Sequence, residues 1–228
     1  MHDDELKRQA AEYAVQYVTA GMVVGLGHGS TARFALLRLA SLLHLGELQD
    51  IKAVPCSTRV EQEARAAGIP LTSFSDAPYI DLTIDGADEV TTAMEMIKGG
   101  GGAMLREKIV AEASRRVLIV IDESKLSPVL GTRARVPIEV IPFGWQRQVE
   151  FLVEMGGLVE LRQTDDDPFY TDNGNLILDC DFGIIRQPET LAEKLQQRAG
   201  IVAHGLFLNL ASEIIIATTE GIHILPEN

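Results

Sequence analysis

Ile80-Asp81-Leu82-Thr83-Ile84 runs directly into Asp85-Gly86-Ala87-Asp88-Glu89, and Lys98-Gly99-Gly100-Gly101-Gly102 and Arg106-Glu107-Lys108 follow close behind. The first five residues read as a buried strand. Asp85 and Asp88 then fall in the loop at its carboxyl end, where open α/β sheets bind their ligands. Four glycines after Lys98 let backbone N–H groups approach an anion closely, and residues 103–114 read as a helix with Glu107 in its early turns. A base, an acid pair and a cation thus share one stretch of chain.

Working outward, apolar β-branched runs alternate with amphipathic stretches, the pattern of a parallel sheet covered by helices. Helices are expected over 5–18, 31–43 and 58–67, and strands over 22–26, 51–54, 80–84 and 116–122. Thr58 and Glu61 have capping-box spacing, and Gly68 stands where that helix should stop. Beyond Pro128 the pattern changes to strand 136–141, helix 146–155, strand 158–161 and helix 188–197. Asp172-Asn173-Gly174-Asn175 signals a hairpin between residues 169–170 and 176–178, because Asn-Gly supplies positive φ angles. Residues 214–216 and 222–225 are apolar enough to return to the first sheet. The expected fold is α/β: a Rossmann-like parallel-sheet domain over 1–128 and 206–228, with a smaller α+β domain over 129–205 inserted before the C-terminal strands.

The 228 residues are 46% hydrophobic, enough for a large core, and the formal charge of −13 disfavours nucleic acid or an anionic membrane as the main partner. Any phosphate ligand must therefore meet a local basic pocket. No apolar run approaches the roughly 18 to 20 residues of a membrane span, and the acidic start Met1-His2-Asp3-Asp4-Glu5 is unlike a signal peptide. A cytoplasmic location is expected, with Cys56 and Cys180 as free thiols.

Gly25-Leu26-Gly27-His28-Gly29-Ser30-Thr31 follows a strand and opens a helix, so its N–H groups and hydroxyls suit a phosphate. The competing reading is a tight turn with Ser30 or Thr31 as an N-cap. No acidic ribose ligand follows the second strand, which argues against NAD. Singly, Asp85 and Asp88 could be turn formers, Lys98 a solvated strand end and Glu107 an exposed helix residue. Clustered around a glycine run they favour chemistry. The five histidines lack metal-ligand spacing, and Asp165-Asp166-Asp167 lacks the rest of a calcium loop, so it reads as a solvated turn.

On these segments, together with Asp4-Glu5-Leu6-Lys7, Glu139-Val140-Ile141-Pro142 and Thr171-Asp172-Asn173-Gly174-Asn175, the chain resembles the ribose-5-phosphate isomerase A family over nearly its full length. The resemblance implies interconversion of D-ribose 5-phosphate and D-ribulose 5-phosphate through an enediolate, without metal or organic cofactor. It makes Glu107 the base, Lys98 the group that stabilises developing negative charge, and Asp85 and Asp88 the groups for ring opening and hydroxyl proton transfer. His28, Gly29, Ser30 and Thr31 would hold the phosphate with Lys7 and Lys125, and Gly86, Ala87, Gly99, Gly100 and Gly101 would line the sugar. His28 departs from the threonine common in the family, as do Gly102 and Leu105 from alanine and threonine. The resemblance also implies a homodimer or dimer of dimers. Rival readings are a sugar-phosphate deaminase or lactonase, which lacks an evident catalytic histidine, and a sugar-phosphate sensor, which would leave Glu107 and Lys98 unexplained.

Overall fold

The apolar β-branched runs do form the strands of a parallel sheet in the computed structural model, which describes residues 2–226. In chain order the first elements are α1 (His2–Val15), β1 (Val23–Leu26), α2 (Ser30–His44), β2 (Lys52–Pro55), α3 (Thr58–Ala66) and β3 (Leu82–Asp85). Next come β4 (Glu89–Val90), β5 (Met96–Ile97), α4 (Met104–Glu112), β6 (Val117–Asp122), a 3-10 turn at Glu123–Lys125, β7 (Val136–Val140), α5 (Trp145–Glu154) and β8 (Leu158–Leu161). The remainder are β9 (Gln163–Thr164), β10 (Asp167–Pro168), β11 (Leu176–Asp181), α6 (Pro188–Gln196), β12 (Ile201–His204), β13 (Leu206–Phe207), β14 (Glu213–Thr218) and β15 (Gly221–Leu225).

Contacts divide the chain into one unit of Met1–Ala87, Arg106–Lys125 and Leu210–Asn228 and a second of Asp88–Leu105 and Leu126–Asn209. The sequence reading keeps residues 88–105 with the larger unit. In the structure β4 and β5 pair antiparallel with each other and β5 with β13, so this segment shares its hydrogen bonds with the second unit.

The first unit is built on a six-stranded sheet in the order β15-β14-β6-β3-β1-β2. Every pairing is parallel except that of β14 with β15, which closes the sheet with an antiparallel edge. Val24, Leu26, Ile84, Leu118, Val120 and Ile215 are buried together with Ala10 and Ala14 of α1 and Leu36 and Leu39 of α2. Strands covered on both faces must be apolar throughout, which is why they read as continuous runs and not as alternation. Helix α1 begins and ends three residues earlier than expected, since Gln16, Tyr17 and Val18 bond back only to the third preceding carbonyl. The start of α3 also corrects the sequence reading. Ser57, extended at φ −158°, is the N-cap and its Oγ accepts the Val60 N–H, while Thr58 is already helical. Gly68, at φ +75°, ends the helix as expected, with Gly68 N–H bonded to Arg65 O and Ile69 N–H to Ala64 O.

The second unit holds a four-stranded antiparallel sheet in the order β12-β7-β11-β8. Val136, Ile138 and Val140 of β7 join Leu176, Leu178 and Cys180 of β11 in its core, with Leu152 of α5 and Leu195 of α6. By strand alternation Pro137, Glu139, Ile177 and Asp179 face the other way. The expected hairpin over 169–178 reduces to a single bridge between Tyr170 and Leu176, because β11 pairs with β7 and β8 instead. Its turn is pulled inward by a buried acid: Glu139 Oε1 accepts from Thr171 Oγ1 at 2.9 Å, Asn173 Nδ2 at 3.2 Å and Asn175 Nδ2 at 2.9 Å. The tight two-residue turn falls elsewhere, at Asp165 and Asp166 with φ 51° and 70°, between β9 and β10.

Candidate active site

Within the first unit the chain leaves β1 toward β2 on one side and later places β3 on the other, so the strand order reverses between β1 and β3. That reversal opens a crevice at the carboxyl ends of a parallel sheet. Both segments read as ligand loops meet there. Asp85, the last residue of β3 and not a loop residue, is 3% exposed, and its Oδ1 accepts the N–H groups of His28 at 3.1 Å and Gly86 at 2.8 Å. Gly27 is required by this approach: a Cβ there would stand 2.1 Å from Asp85 Oδ1 and 2.5 Å from its Cα. Gly86 in turn lies near His28 O and Thr31 Cβ. The His28 ring Nδ1 is 2.9 Å from Ser57 Oγ, which joins the imidazole to the start of α3.

Gly29 stands at the N-cap of α2 with no side-chain cap, leaving the first N–H groups of Ser30 and Thr31 available to an anion. A cavity of about 500 Å³ opens on this loop, lined in part by Gly27, His28, Gly29, Ser30, Arg33 and Arg59. Lys7 projects from α1 beside Asp4, at 3.7 Å, and Asp4 also lines the cavity. Lys125 closes the turn after β6, at the same carboxyl edge, and makes no ion pair among the described residues. Glu107 lies in the first turn of α4 and is 4% exposed, so it is not the exposed helix residue that it could be when taken singly. Beside it, burial lowers the Lys108 ammonium to about 8 from 10.5, against the opposing pull of Glu112.

Within the second unit, Asp88 and the glycine run are joined directly. Asp88 Oδ2 accepts the Gly100 N–H at 2.8 Å, and a Cβ on Gly100 would stand 2.9 Å from Asp88 Oδ1. Lys98 follows β5, is 3% exposed, and holds its Nζ 5.4 Å from the centre of the Phe207 ring. Its own N–H donates to Gly205 O. A buried lysine on an aromatic face is a fixed cation in a dry setting, where charge acts strongly. Glu89 has a different task. It is fully buried and accepts N–H bonds from Gly131, Thr132, Arg133 and Ala134, so the last carboxylate of the motif anchors the 131–134 loop.

The structure therefore gathers Gly27, His28, Thr31, Asp85 and Gly86 in one unit, and Asp88, Lys98 and Gly100 with their neighbours Gly99 and Gly101 in the other. Ala87 is the last residue of the first unit before the chain crosses. Arg33 and Arg59 escaped the sequence reading. Arg33 stands four residues after Gly29, one turn into α2, so helical spacing could have found it, whereas Arg59 becomes visible only once β2 and α3 are placed. Among the described residues no group of three or more His, Cys, Asp or Glu side chains is arranged to hold a metal ion, and no helix is long and apolar enough to cross a membrane.

Residues 52–221 match the family model described as ribose 5-phosphate isomerase A (phosphoriboisomerase A). A protein named ribose-5-phosphate isomerase A from Chloroflexus aurantiacus is 53% identical over 217 residues, spanning 95% of this chain and 91% of its own. Among solved structures, a D-ribose-5-phosphate isomerase in complex with phospho-erythronic acid superposes with a TM-score of 0.96 at 36% identity over 100% of both chains. Ribose 5-phosphate isomerase from Plasmodium falciparum superposes with a TM-score of 0.95 at 38% identity over 99% of both. A family match across most of the chain, agreeing with relatives that span nearly all of it, means that this chain belongs to the ribose 5-phosphate isomerase A family.

Proposed function

We propose that this chain interconverts D-ribose 5-phosphate and D-ribulose 5-phosphate by proton transfer through an enediolate, and that Glu107 is the base. The observation that carries the assignment is burial of a carboxylate, Glu107, and of a cation, Lys98, in a member of this family. In the open-chain aldose the proton on C2 is acidified by the C1 carbonyl. Glu107 removes it, the electron pair moves toward the C1 oxygen, and the resulting enediolate is reprotonated at C1 by the same carboxyl as a proton passes between the two oxygens. Lys98 stabilises the oxyanion that develops on the way, a task for a preorganised charge shielded from water. Asp85 and Asp88 serve the hydroxyl proton transfers of ring opening and of the enediolate. Gly86, Ala87, Gly99, Gly100 and Gly101 contact the sugar through backbone.

The phosphate rests on Gly29, Ser30 and Thr31 at the start of α2, with Lys7 and Lys125 supplying positive charge in an otherwise acidic protein. His28 replaces a hydroxyl with imidazole, and its Nδ1 contact with Ser57 orients the ring. The substrate class agrees with the sugar-acid phosphate named for the matched complex. A cytoplasmic enzyme that assembles as a homodimer or dimer of dimers and binds no nucleic acid completes the reading, on composition and family resemblance. A sugar-phosphate sensor, deaminase or lactonase is not favoured, given relatives named as isomerases. The test is the appearance of ketopentose phosphate from D-ribose 5-phosphate with and without EDTA. Conversion that resists EDTA is expected, and no conversion by a folded protein would overturn the assignment.

A further inference from the structure

The glycine run after Lys98 is gripped from both sides. On one side Gly100 N–H donates to Asp88 Oδ2 at 2.8 Å. On the other, Arg162 Nη1 donates to Gly99 O at 2.9 Å and to Gly100 O at 3.1 Å. The Gly99 carbonyl and the Gly100 N–H belong to one peptide group, so a single peptide links the Arg162 guanidinium to the Asp88 carboxylate. Hydrogen bonds in series polarise one another, and a charged donor at one end strengthens the bond at the other.

Arg162 is itself held rigidly. Its Nε donates to Asp179 Oδ2 at 2.8 Å and its Nη2 to Asp179 Oδ1, a two-pronged pairing that fixes the guanidinium plane. Only 15% of the Arg162 side chain and 21% of the Asp179 side chain is exposed, and the guanidinium carbon lies 5.8 Å from the centre of the Phe169 ring. Arg162 and Asp179 line, with Asp88, Gly100, Arg133 and Arg135, a cavity of about 350 Å³ in the second unit. An ion pair serving only strand stability would have no need to aim Nη1 at two carbonyls of this particular loop.

We infer that Arg162 is a positioning residue for the reaction, holding the 99–100 peptide and through it the Asp88 carboxylate, with Asp179 as its anchor. This rests on the isomerase reading given above. Arg162 does not touch the reacting atoms under this inference, so its loss costs rate through misplacement, and a displacement near 1 Å can cost about 100-fold.

The experiment is a double-mutant cycle on D-ribose 5-phosphate isomerisation using Arg162→Ala, Asp88→Asn and the pair, with enzyme concentrations that keep a ten-thousandfold loss readable. Arg162→Ala alone is expected to lower kcat by roughly 10- to 100-fold with KM changed less than about threefold. In the Asp88→Asn background the same change should cost less than about twofold, because the group it positions is gone. Equal losses in both backgrounds would overturn the inference in favour of general bracing, as would a kcat within twofold of the parent. Arg162→Lys keeps the charge without the fork, and it is expected to fold and to remain slow. If neither variant folds, the positioning role is rejected. Failure of the unmodified enzyme to isomerise the sugar would instead reject the reading beneath it.

Discussion

Asp85 and Asp88 stand three residues apart and are held by the same device made from different parts. Each carboxylate accepts a backbone N–H from a glycine-rich loop, His28 N–H for Asp85 and Gly100 N–H for Asp88, and each lies against a glycine that leaves it room. The settings differ. Asp85 ends a central parallel strand, is buried, and meets Gly27 on the adjoining strand end, so its partner is set by the sheet. Asp88 is half-buried, and its loop is fixed by Arg162, the residue between β8 and β9. The comparison teaches that glycines in such motifs do two jobs. Gly29 at the start of α2 has open space around it, whereas Gly27 and Gly100 leave room for the carboxylates of Asp85 and Asp88.

The largest effect should come from the cation placed on the Asp88 side. Lys98→Met is expected to lower kcat/KM by roughly 100- to 1000-fold, the usual consequence of removing one oxyanion-stabilising donor. A loss of under tenfold would contradict the role given to Lys98. The two glycines break the comparison more finely. Gly27→Ala places a Cβ 2.1 Å from Asp85 Oδ1 with backbone close behind, and should cost about 1–3 kcal/mol in urea unfolding as well as activity. Gly100→Ala meets only the movable end of Asp88, at 2.9 Å, so it should cost about 0.5 kcal/mol or less while still lowering kcat. Equal stability losses would mean that both aspartates are equally locked.

A further effect, seen only as a change of slope with pH, concerns the neighbour of Glu107. Lys108 has its folded value lowered to about 8 from 10.5, so between those values unfolding takes up a proton and stability rises with pH, by at most about 1.4 kcal/mol per pH unit. Cys180 acts oppositely. Burial pushes its thiol up to about 12 from 9.0, so above pH 9 unfolding releases a proton and stability falls. Of these two groups only Lys108 acts between pH 8 and 9. Lys108→Met should flatten the rise in urea midpoint across that interval, and an unchanged slope would place the ammonium in water.

Much of the first unit is legible in the sequence because its information is local. Val117 to Asp122 is apolar and β-branched up to its terminal carboxylate, so strand and loop announce themselves, and Gly68 marks a helix end by its handedness alone. Asp85 and Lys98 stand out for the same reason, as charges beside glycine, and Asp88 and Glu107 as charges a few residues further along the same two segments. What the chain hides is the partner far along it. Arg162 is 63 residues from Gly99, and no periodicity connects them. Glu89 is chemically indistinguishable in sequence from a catalytic acid, and only the four N–H groups around it reveal an anchor. The turn at Asn173-Gly174 forms where the sequence places it, with Gly174 at φ +76° and Thr171 N–H bonded to Asn175 O, but its ladder is one bridge long and its setting is hidden. Turn propensity is local, but the buried Glu139 that captures Asn173 and Asn175 lies 34 and 36 residues away.

The most direct test of the account is the turnover of Glu107→Gln on D-ribose 5-phosphate, set beside its affinity for phospho-erythronic acid. If Glu107 moves the proton, the variant binds the sugar-acid phosphate within about threefold of the parent and loses roughly 100-fold or more in kcat. Turnover near that of the parent, with binding intact, would contradict the assignment of the base and with it the division of labour drawn here between the two carboxylate loops.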